Sequence, residues 1–375
     1  MDAARKSRRW GWKRIIALVV LLLPLIGFTL LWLDEPEPLK NAKSGQKMLA
    51  VVYHEYGGPE VLKLESTDRL LPNETQVLIQ VRAAAANALD WHVMRGSPYL
   101  MRLDAGLRAP HDPRMGVDVS GVVVAVGNKV TRFKPGDEVF GVAPGAFAEY
   151  ALASEGRLVT KPANLSFEQA AAIPVAAMTA LQGLRDEAKV QPGQKVLING
   201  ASGGVGTFAV QIAKALGADV TGVCSARNVE LVRSLGADRV IDYKREDFTR
   251  GTERYDVVLD VVGIHSLNAM RGVLKPTGVL VLVGGGGPDA GNWIGALGRP
   301  VKAFFLSPFV DQQMSFFISN VNPEDLGVVT ALIEAGKVRA VLDRTYALAE
   351  TAEAIRYMET GRARAKVIIA VANGN

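Results

Sequence analysis

A glycine-rich stretch at residues 201–206, ASGGVG, is the first candidate for chemistry in this chain. It follows the apolar run KVLIN and opens a helix-like run, which is the context in which dinucleotide-binding loops occur. The stretch fits the pattern G-x-G-x-x-G, with Ala201 in the first glycine position. Gly203 lets the backbone approach a pyrophosphate, which the helix N-terminus stabilises, and Gly206 lets the helix lie close to the strand. The stretch therefore predicts a dinucleotide site.

The end of the next predicted strand, DVTGVC, indicates which nicotinamide cofactor is bound. An Asp or Glu at this point would hold the ribose diol of NAD(H) and repel a 2′-phosphate. Here Cys224 is followed by Ser225 and Arg227, which offer a hydroxyl and a guanidinium to a phosphate. Tyr243, after the following strand, can lie beside the same adenosine. NADP(H) is therefore predicted over NAD(H); the alternative is that Arg227 faces solvent at a helix start.

The elements around these residues alternate between strands and helices. Strand-like runs at KVLING, DVTGVC, DRVIDY, YDVVLDVVG and GVLVLVGGG are separated by helical runs, which predicts parallel pairing with right-handed crossovers. The preceding part, from Met48, is rich in short strand-like runs punctuated by glycine and proline, as in a small irregular barrel. The fold class is therefore α/β, with a β-rich domain beside a doubly wound one.

Charge and cysteine content exclude several classes of function. Six basic side chains and one acid lie in residues 1–14, and the rest of the chain is electrically balanced. The folded body therefore has no basic patch of the kind that binds nucleic acid. Cys224 is the only cysteine, so the chain has neither an intrachain disulfide nor a zinc site built on several thiolates.

Residues 15–33, IIALVVLLLPLIGFTLLWL, carry no charge. Nineteen residues at about 1.5 Å each cover roughly 28 Å, which is enough to cross a bilayer core. We expect an uncleaved transmembrane helix that binds the lipid bilayer, a basic tail at 1–14 and a Pro-rich tether at 34–47. A cleaved signal peptide and, because of SRRWGWK, a twin-arginine export signal are the alternatives.

The expected localisation is a single-pass membrane protein whose orientation the sequence leaves open. The basic tail precedes the apolar run, so the positive-inside rule keeps the tail in the cytoplasm and sends the folded part across. Because NADPH is made inside the cell, the predicted cofactor favours the opposite orientation.

Several motifs occur in the order found in one enzyme family: NALDWHVMRG, PRMGVDVSGVVVAVG, FKPGDEVFG, GAFAEYALA, AAIPVAAMTALQGL, NGASGGVG, DVVLDVVG and ARAKVIIAV. From Met48 to Val371 the chain resembles the zinc-independent branch of the medium-chain dehydrogenase/reductase superfamily, the quinone oxidoreductase or zeta-crystallin-like proteins. The resemblance implies a homodimer. It also implies a GroES-like catalytic domain at 48–175, an inserted Rossmann domain at 176–312, and a C-terminal segment at 313–375 that completes the catalytic domain.

The resemblance also bears on the chemistry. Zinc alcohol dehydrogenases of the superfamily place a Cys ligand early in the catalytic domain and a His-Glu pair downstream. The corresponding segments here read NALDWH and MGVDVSG, with Val117 and Asp118 in place of the pair, so no metal site is predicted. Without a Lewis acid, direct oxidation of an alcohol is difficult. Hydride transfer from NADPH to an activated acceptor, a quinone or an α,β-unsaturated carbonyl, is therefore the predicted reaction.

The resemblance implies a set of site residues. Asn87 matches an Asn of the substrate cleft, and His92 stands where Tyr is common, so it either binds the substrate oxygen, supplies a proton, or is a rim residue without chemistry. Asp90 is expected to brace the cleft loop. The predicted cofactor contacts are Thr179, Ser202, Gly203, Gly204, Val205, Gly206, Ser225, Arg227, Tyr243, Val262, Gly263, Gly284 and Gly285.

Two other functions fit the sequence. One is a non-catalytic NADPH-binding scaffold, because the resemblance extends to lens-structural and interaction proteins. The other is a zinc alcohol dehydrogenase. Turnover of NADPH with quinones and enals distinguishes the first, and metal analysis distinguishes the second.

Overall fold

The computed structural model describes residues 43–285 and 295–372, in which the strands form three sheets. The strands are β1 (Lys43–Val52), β2 (Lys63–Leu70), β3 (Gln76–Ala86), β4 (Asp118–Val126), β5 (Glu138–Val142), β6 (Tyr150–Ser154), β7 (Leu158–Thr160), β8 (Lys195–Asn199), β9 (Asp219–Cys224), β10 (Arg239–Asp242), β11 (Tyr255–Asp260), β12 (Leu274–Leu282), β13 (Gln313–Phe316), β14 (Leu342–Ala347) and β15 (Lys366–Ala370).

Helices connect and cover these sheets. They are α1 (Ala88–Arg95), α2 (Arg102–Ala105), α3 (Phe167–Ala171), α4 (Pro174–Gln182), α5 (Gly204–Ala215), α6 (Val229–Ser234), α7 (Leu267–Gly272), α8 (Gly298–Leu306), α9 (Pro323–Glu334) and α10 (Thr351–Glu359). Short 3₁₀ segments lie between several of them.

The central sheet is parallel, with the strand order β10-β9-β8-β11-β12-β13. Helices cover both faces of this sheet: α4, α5 and their neighbours lie on one side, and α7 lies on the other. Its strands are therefore apolar on both faces, and Val196, Leu197 and Ile198 of β8, for example, are fully buried. The chain order reverses between β8 and β11, and ligands of doubly wound sheets bind at that point, beyond the carboxyl ends of the strands.

A second sheet, with the order β14-β15-β3-β4-β5-β7, forms the other part of the fold, and β6 also pairs with β3. Strand β15 is antiparallel to β3, with Val367 opposite Ala86, and β14 is parallel to β15. The end of the chain therefore completes a sheet whose other strands all lie before residue 161. Beyond the predicted domain limit at 312, β13 still belongs to the central parallel sheet; the domain limits themselves remain predictions.

The alanine run at the end of β3 shows why this segment forms a strand. Ala83, Ala84 and Ala85 are fully buried, and Ala83 and Ala85 pack with Ala171 and Ala172 at the end of α3. Alanine favours helices in isolation. Here its small side chain lets a helix approach the sheet closely, and packing overrides the local preference.

The membrane part of the sequence prediction is wrong as a description of this structure. Within residues 43–285 and 295–372, no helix has the length and apolarity that a bilayer crossing requires. The fold is α/β with GroES-like and Rossmann-like parts, and the single-pass architecture and localisation are corrected accordingly. The apolar run at 15–33, the basic tail at 1–14 and the tether up to residue 42 lie outside the described residues.

Candidate active site

The glycine-rich loop leads from β8 into α5 and is shaped to receive a pyrophosphate. Gly206 approaches the strand end so closely that a Cβ there would lie 2.1 Å from the carbonyl oxygen of Gly200. At Gly203, by contrast, a Cβ would meet only that oxygen, at 3.4 Å, so this side of the loop is open. Gly203 is also the N-cap of α5 and no side chain caps the helix, which leaves its first N–H groups for an anion.

The loops after β8, β9 and β10 are tied together at the predicted adenosine end. Nδ2 of Asn228 donates to Oγ of Ser202 at 2.9 Å and lies 3.4 Å from Oγ of Ser225. The backbone N–H of Tyr243 donates to the carbonyl of Cys224 at 3.1 Å, which places Tyr243 beside the end of β9. Sequence reasoning missed Asn228, which links two of the predicted residues.

Arg227 is exposed at this end, and Nη2 donates to the carbonyl of Arg362 from the turn before β15. Burial raises the pKa of the Cys224 thiol to about 11, so this side chain is a neutral thiol at the end of β9. No carboxylate follows β9 directly, since the next residues are Ser225, Ala226 and Arg227. The strand end therefore fits a 2′-phosphate better than a free ribose diol.

The predicted nicotinamide contacts are held around Asp260, the last residue of β11. Its Oδ1 accepts from the N–H of Gly263 at 3.1 Å and from Nδ2 of Asn199 at 2.8 Å, and its carbonyl accepts from the N–H of Gly284 at 3.0 Å. The end of β8 and the loops after β11 and β12 are thereby joined at one buried residue, through both its carboxylate and its main-chain carbonyl. Nη2 of Arg299 lies 2.6 Å from Oδ2 of Asp260, without the angle of a hydrogen bond.

The remaining predicted contacts on this side are placed as follows. Val262 lies so close to Gly200 that a Cβ at Gly200 would be 2.7 Å from Cγ2 of Val262. Gly284 packs so tightly that a Cβ would lie 2.1 Å from the carbonyl oxygen of Val261, and Gly285 follows it. Thr179 lies within α4, where its hydroxyl donates to the carbonyl of Val175 at 2.7 Å and lies 3.0 Å from Oγ of Ser319.

Asn87, the predicted cleft residue, is the N-cap of α1 and is buried. Nδ2 donates to Oδ2 of Asp118 at 2.9 Å and to the carbonyl of Ala85 at 3.3 Å, and Oδ1 accepts from Nζ of Lys366 at 2.7 Å. Both amide hydrogens are therefore donated within the protein. An Asn held in this way cannot donate to a substrate without breaking one of these bonds. Its catalytic role stays a prediction.

Asp90 lies one turn further along α1 and binds the same residue. Its Oδ2 accepts from the backbone N–H of Asn87 at 2.6 Å. Burial raises the pKa of this carboxyl to about 7; the bond from Asn87 opposes the increase, Asp118 adds to it, and Lys366 opposes it. Asp90 therefore titrates near neutral pH while it braces the start of α1.

Lys366, the first residue of β15, is the cation of this network. Nζ lies 3.0 Å from Oδ2 of Asp118, whose side chain is fully buried, and Oδ1 of Asp118 accepts from the N–H of Val175 at 3.0 Å. Sequence reasoning missed Lys366. The signal that could have found it is its position directly before the apolar run VIIAV, because a charge buried there needs partners.

His92 is half-buried in α1 and stacks on Trp91, with ring centroids 3.6 Å apart. Nδ1 donates to the carbonyl of Ser97 at 2.8 Å when it carries the proton. Burial lowers the pKa of His92, which keeps the ring neutral at pH 7. In that state the second ring nitrogen is an acceptor, and it becomes a donor on protonation.

The segments that hold zinc in related dehydrogenases do not fit a metal here. Asn87 and Asp118 are bonded to each other and to an ammonium, and Val117 offers no ligand atom. Across residues 43–285 and 295–372, no group of three or more His, Cys, Asp or Glu side chains is arranged to bind a metal ion.

Comparison with known proteins identifies the family. Residues 73–163 match the alcohol dehydrogenase GroES-like domain, and residues 235–369 match the zinc-binding dehydrogenase domain. A 2-methylene-furan-3-one reductase from Solanum lycopersicum is 36% identical over 86% of this chain and 79% of its own. An NADPH-dependent alkenal/one oxidoreductase of the chloroplast from Arabidopsis thaliana is 35% identical over 88% and 81%.

Among solved structures, the quinone oxidoreductase from Coxiella burnetii superposes with a TM-score of 0.76 at 32% identity, covering 87% of this chain and all of that one. The fold, the glycine loop and these relatives all indicate the same family. The chain belongs to the medium-chain dehydrogenase/reductase superfamily, in its quinone oxidoreductase branch.

Proposed function

We propose that this protein transfers hydride from NADPH to a quinone or an α,β-unsaturated carbonyl without using zinc. It is an oxidoreductase, and NADP(H) is its cofactor. The observation that carries the proposal is the internal bonding of Asn87 and Asp118, which occupies the side chains that would otherwise polarise an alcohol through a metal. The reaction left to such a site is reduction of an acceptor that is already electrophilic.

The residues that hold the cofactor are proposed from the loop geometry. The open face at Gly203 and the N–H groups of Gly204, Val205 and Gly206 bind the pyrophosphate, with Ser202 beside them. Ser225, Arg227 and Tyr243 surround the 2′-phosphate. Thr179, Val262, Gly263, Gly284 and Gly285 line the nicotinamide end. When bound there, NADPH supplies the hydride.

On the cleft side, the chain's own groups orient the acceptor and manage its charge. Negative charge collects on the acceptor's carbonyl oxygen during reduction, so a donor near it lowers the barrier. We assign this role to His92, which donates through its second ring nitrogen after protonation. Asp90 and the network around Asn87 hold α1, and with it His92, in place.

The family resemblance implies a homodimer, and the central sheet supports it. β13 is the end strand of the sheet, with β12 on one side and no strand on the other in the described part of the chain. Exposed apolar side chains lie on or beside it, including Phe309, Phe316 and Ile318. We expect Ile318→Lys to shift the particle mass measured by light scattering towards the monomer, whereas an unchanged mass would argue against this interface.

The proposed function is tested by following NADPH consumption with a panel of quinones, 2-alkenals and enones. We expect turnover with at least one class, faster with NADPH than with NADH, and no loss after dialysis against a zinc chelator. Tight NADPH binding without turnover of any acceptor would favour a scaffold instead. Stoichiometric zinc in the purified protein, with activity lost on chelation, would favour an alcohol dehydrogenase.

A further inference from the structure

Lys366 connects the substrate cleft to the cofactor loop through a single side chain. Its ammonium binds Oδ1 of Asn87 at 2.7 Å, Oδ2 of Asp118 at 3.0 Å and the carbonyl of Ala86 at 3.3 Å. These acceptors come from the end of β3, the start of α1 and the start of β4. The ammonium is buried, so it has no water to replace these partners.

The stem of the same side chain lies against the glycine loop. A Cβ at Gly204 would lie 3.2 Å from Cδ of Lys366. The preceding residue, Ala365, donates its N–H to the carbonyl of Ser202 at 2.8 Å and adopts a left-handed φ of 65°. A non-glycine residue in that conformation is held there by its surroundings. The chain before β15 is therefore fastened to the loop that binds the pyrophosphate.

We propose that Lys366 is a positioning residue that fixes the position of the Asn87 amide relative to the glycine loop. Its ammonium holds the Asn87 amide in one orientation, and its aliphatic stem packs against Gly204. The distance between the cleft and the bound cofactor is then fixed by one buried side chain. This inference rests on the proposed function, and it concerns how the two halves of that site are aligned.

A second buried lysine provides a matched control. Lys161 is also buried; Nζ donates to the carbonyl of Leu165 at 2.7 Å and lies 3.0 Å from Oε2 of Glu138. None of these partners belongs to the cleft or the glycine loop. Lys161→Met therefore removes a buried ammonium from the same fold without touching the proposed alignment.

The test compares Lys366→Met, Lys161→Met and the double variant Lys366→Met/Asp118→Asn. Melting temperature, NADPH affinity by fluorescence titration, and kcat with a responsive acceptor are measured for each. We expect Lys366→Met to lower kcat by about tenfold to a hundredfold, since small misplacements near reacting groups have effects of this size. NADPH affinity should fall about threefold or more, while Lys161→Met keeps both within about twofold.

The double variant separates positioning from stability. It removes the ammonium together with the Asp118 carboxylate that it pairs with, so its melting temperature should recover relative to Lys366→Met while kcat stays low. If kcat recovers together with the melting temperature, or if Lys161→Met loses as much kcat and affinity as Lys366→Met, the positioning role is rejected. Absence of turnover in the wild type would reject the proposed function instead, and the NADPH affinities would still test Lys366.

Discussion

The cofactor loop and the substrate cleft are built in different ways, although they adjoin. The loop is assembled from consecutive residues, 200–206, and we propose that its main chain supplies the binding groups. The cleft network joins Asn87, Asp90, Asp118 and Lys366, which are distant in sequence, and its side chains supply the bonds. A backbone site is encoded in a local pattern of glycines, whereas a side-chain site depends on which strands lie next to each other.

This difference changes what a substitution does. At the loop, a side chain added to a glycine either collides with the backbone or blocks the ligand. In the cleft, removal of one group leaves its buried partners unsatisfied, and the effect spreads through the network. Four predictions test this contrast, in order of the expected effect on cofactor binding and catalysis.

The largest effect is expected at Gly206. In Gly206→Ala the new Cβ would meet the carbonyl of Gly200 at 2.1 Å, so α5 must move away from the strand. We expect a loss of about 1–3 kcal/mol in the free energy of unfolding and about a hundredfold weaker NADPH binding, measured by thermal melts and fluorescence titration. Gly203→Ala is the control: the site is open, so stability should change little while NADPH still binds more weakly. Equal losses of stability in both variants would contradict this account.

The second effect concerns cofactor choice. Arg227→Glu places a carboxylate where the proposed 2′-phosphate lies, so the preference for NADPH over NADH should fall by about tenfold to a hundredfold. The ratio of kcat/KM for the two cofactors measures this. Arg233→Glu, a charge reversal further along in α6, should leave the ratio unchanged. An unaltered ratio in Arg227→Glu would remove this residue from the 2′-phosphate site.

The third prediction concerns His92, whose substitution should affect catalysis and leave cofactor binding unchanged. His92→Phe retains an aromatic ring to stack on Trp91 and removes both ring nitrogens. We expect kcat to fall by about tenfold, since general acid catalysis contributes at least this much, while NADPH affinity remains that of the wild type. Stopped-flow measurement of hydride transfer together with NADPH titration checks the separation. Full activity in the variant would make His92 a rim residue.

The last prediction, which has the smallest expected effect on catalysis, concerns the pH dependence of stability. The pKa of Asp90 is raised from 3.8 to about 7. Between these two pH values the folded state retains a proton that the unfolded state has lost. Its contribution to stability is therefore present below about pH 4 and is lost as pH rises towards about 7. Asp90→Asn still accepts the bond from Asn87 and does not ionise, so its melting temperature relative to wild type should rise over this range. A constant difference would show that Asp90 keeps an ordinary pKa.

Sequence reasoning succeeded where the information was local. The alternation of strands and helices, the glycine loop and the absence of an acid after β9 were all legible, and the family assignment and the cofactor are confirmed. Single-pass membrane architecture was wrong for the described structure. Strand β14, LDRTYA, lies at the edge of its sheet and depends on the tertiary structure, because β15 offers it a parallel partner.

By itself, the sequence determined the class of the fold, the position of the cofactor loop and the preference for NADP(H). The first two depend on backbone periodicity and on glycines that admit close approach, and we propose that the third depends on the charge of Arg227. Tertiary structure alone decided that Asn87, Asp118 and Lys366 share one buried network, and that Asp260 joins the end of β8 to the loops after β11 and β12. Burial makes such bonds obligatory, and a one-dimensional pattern does not specify which distant charges will meet when water is excluded.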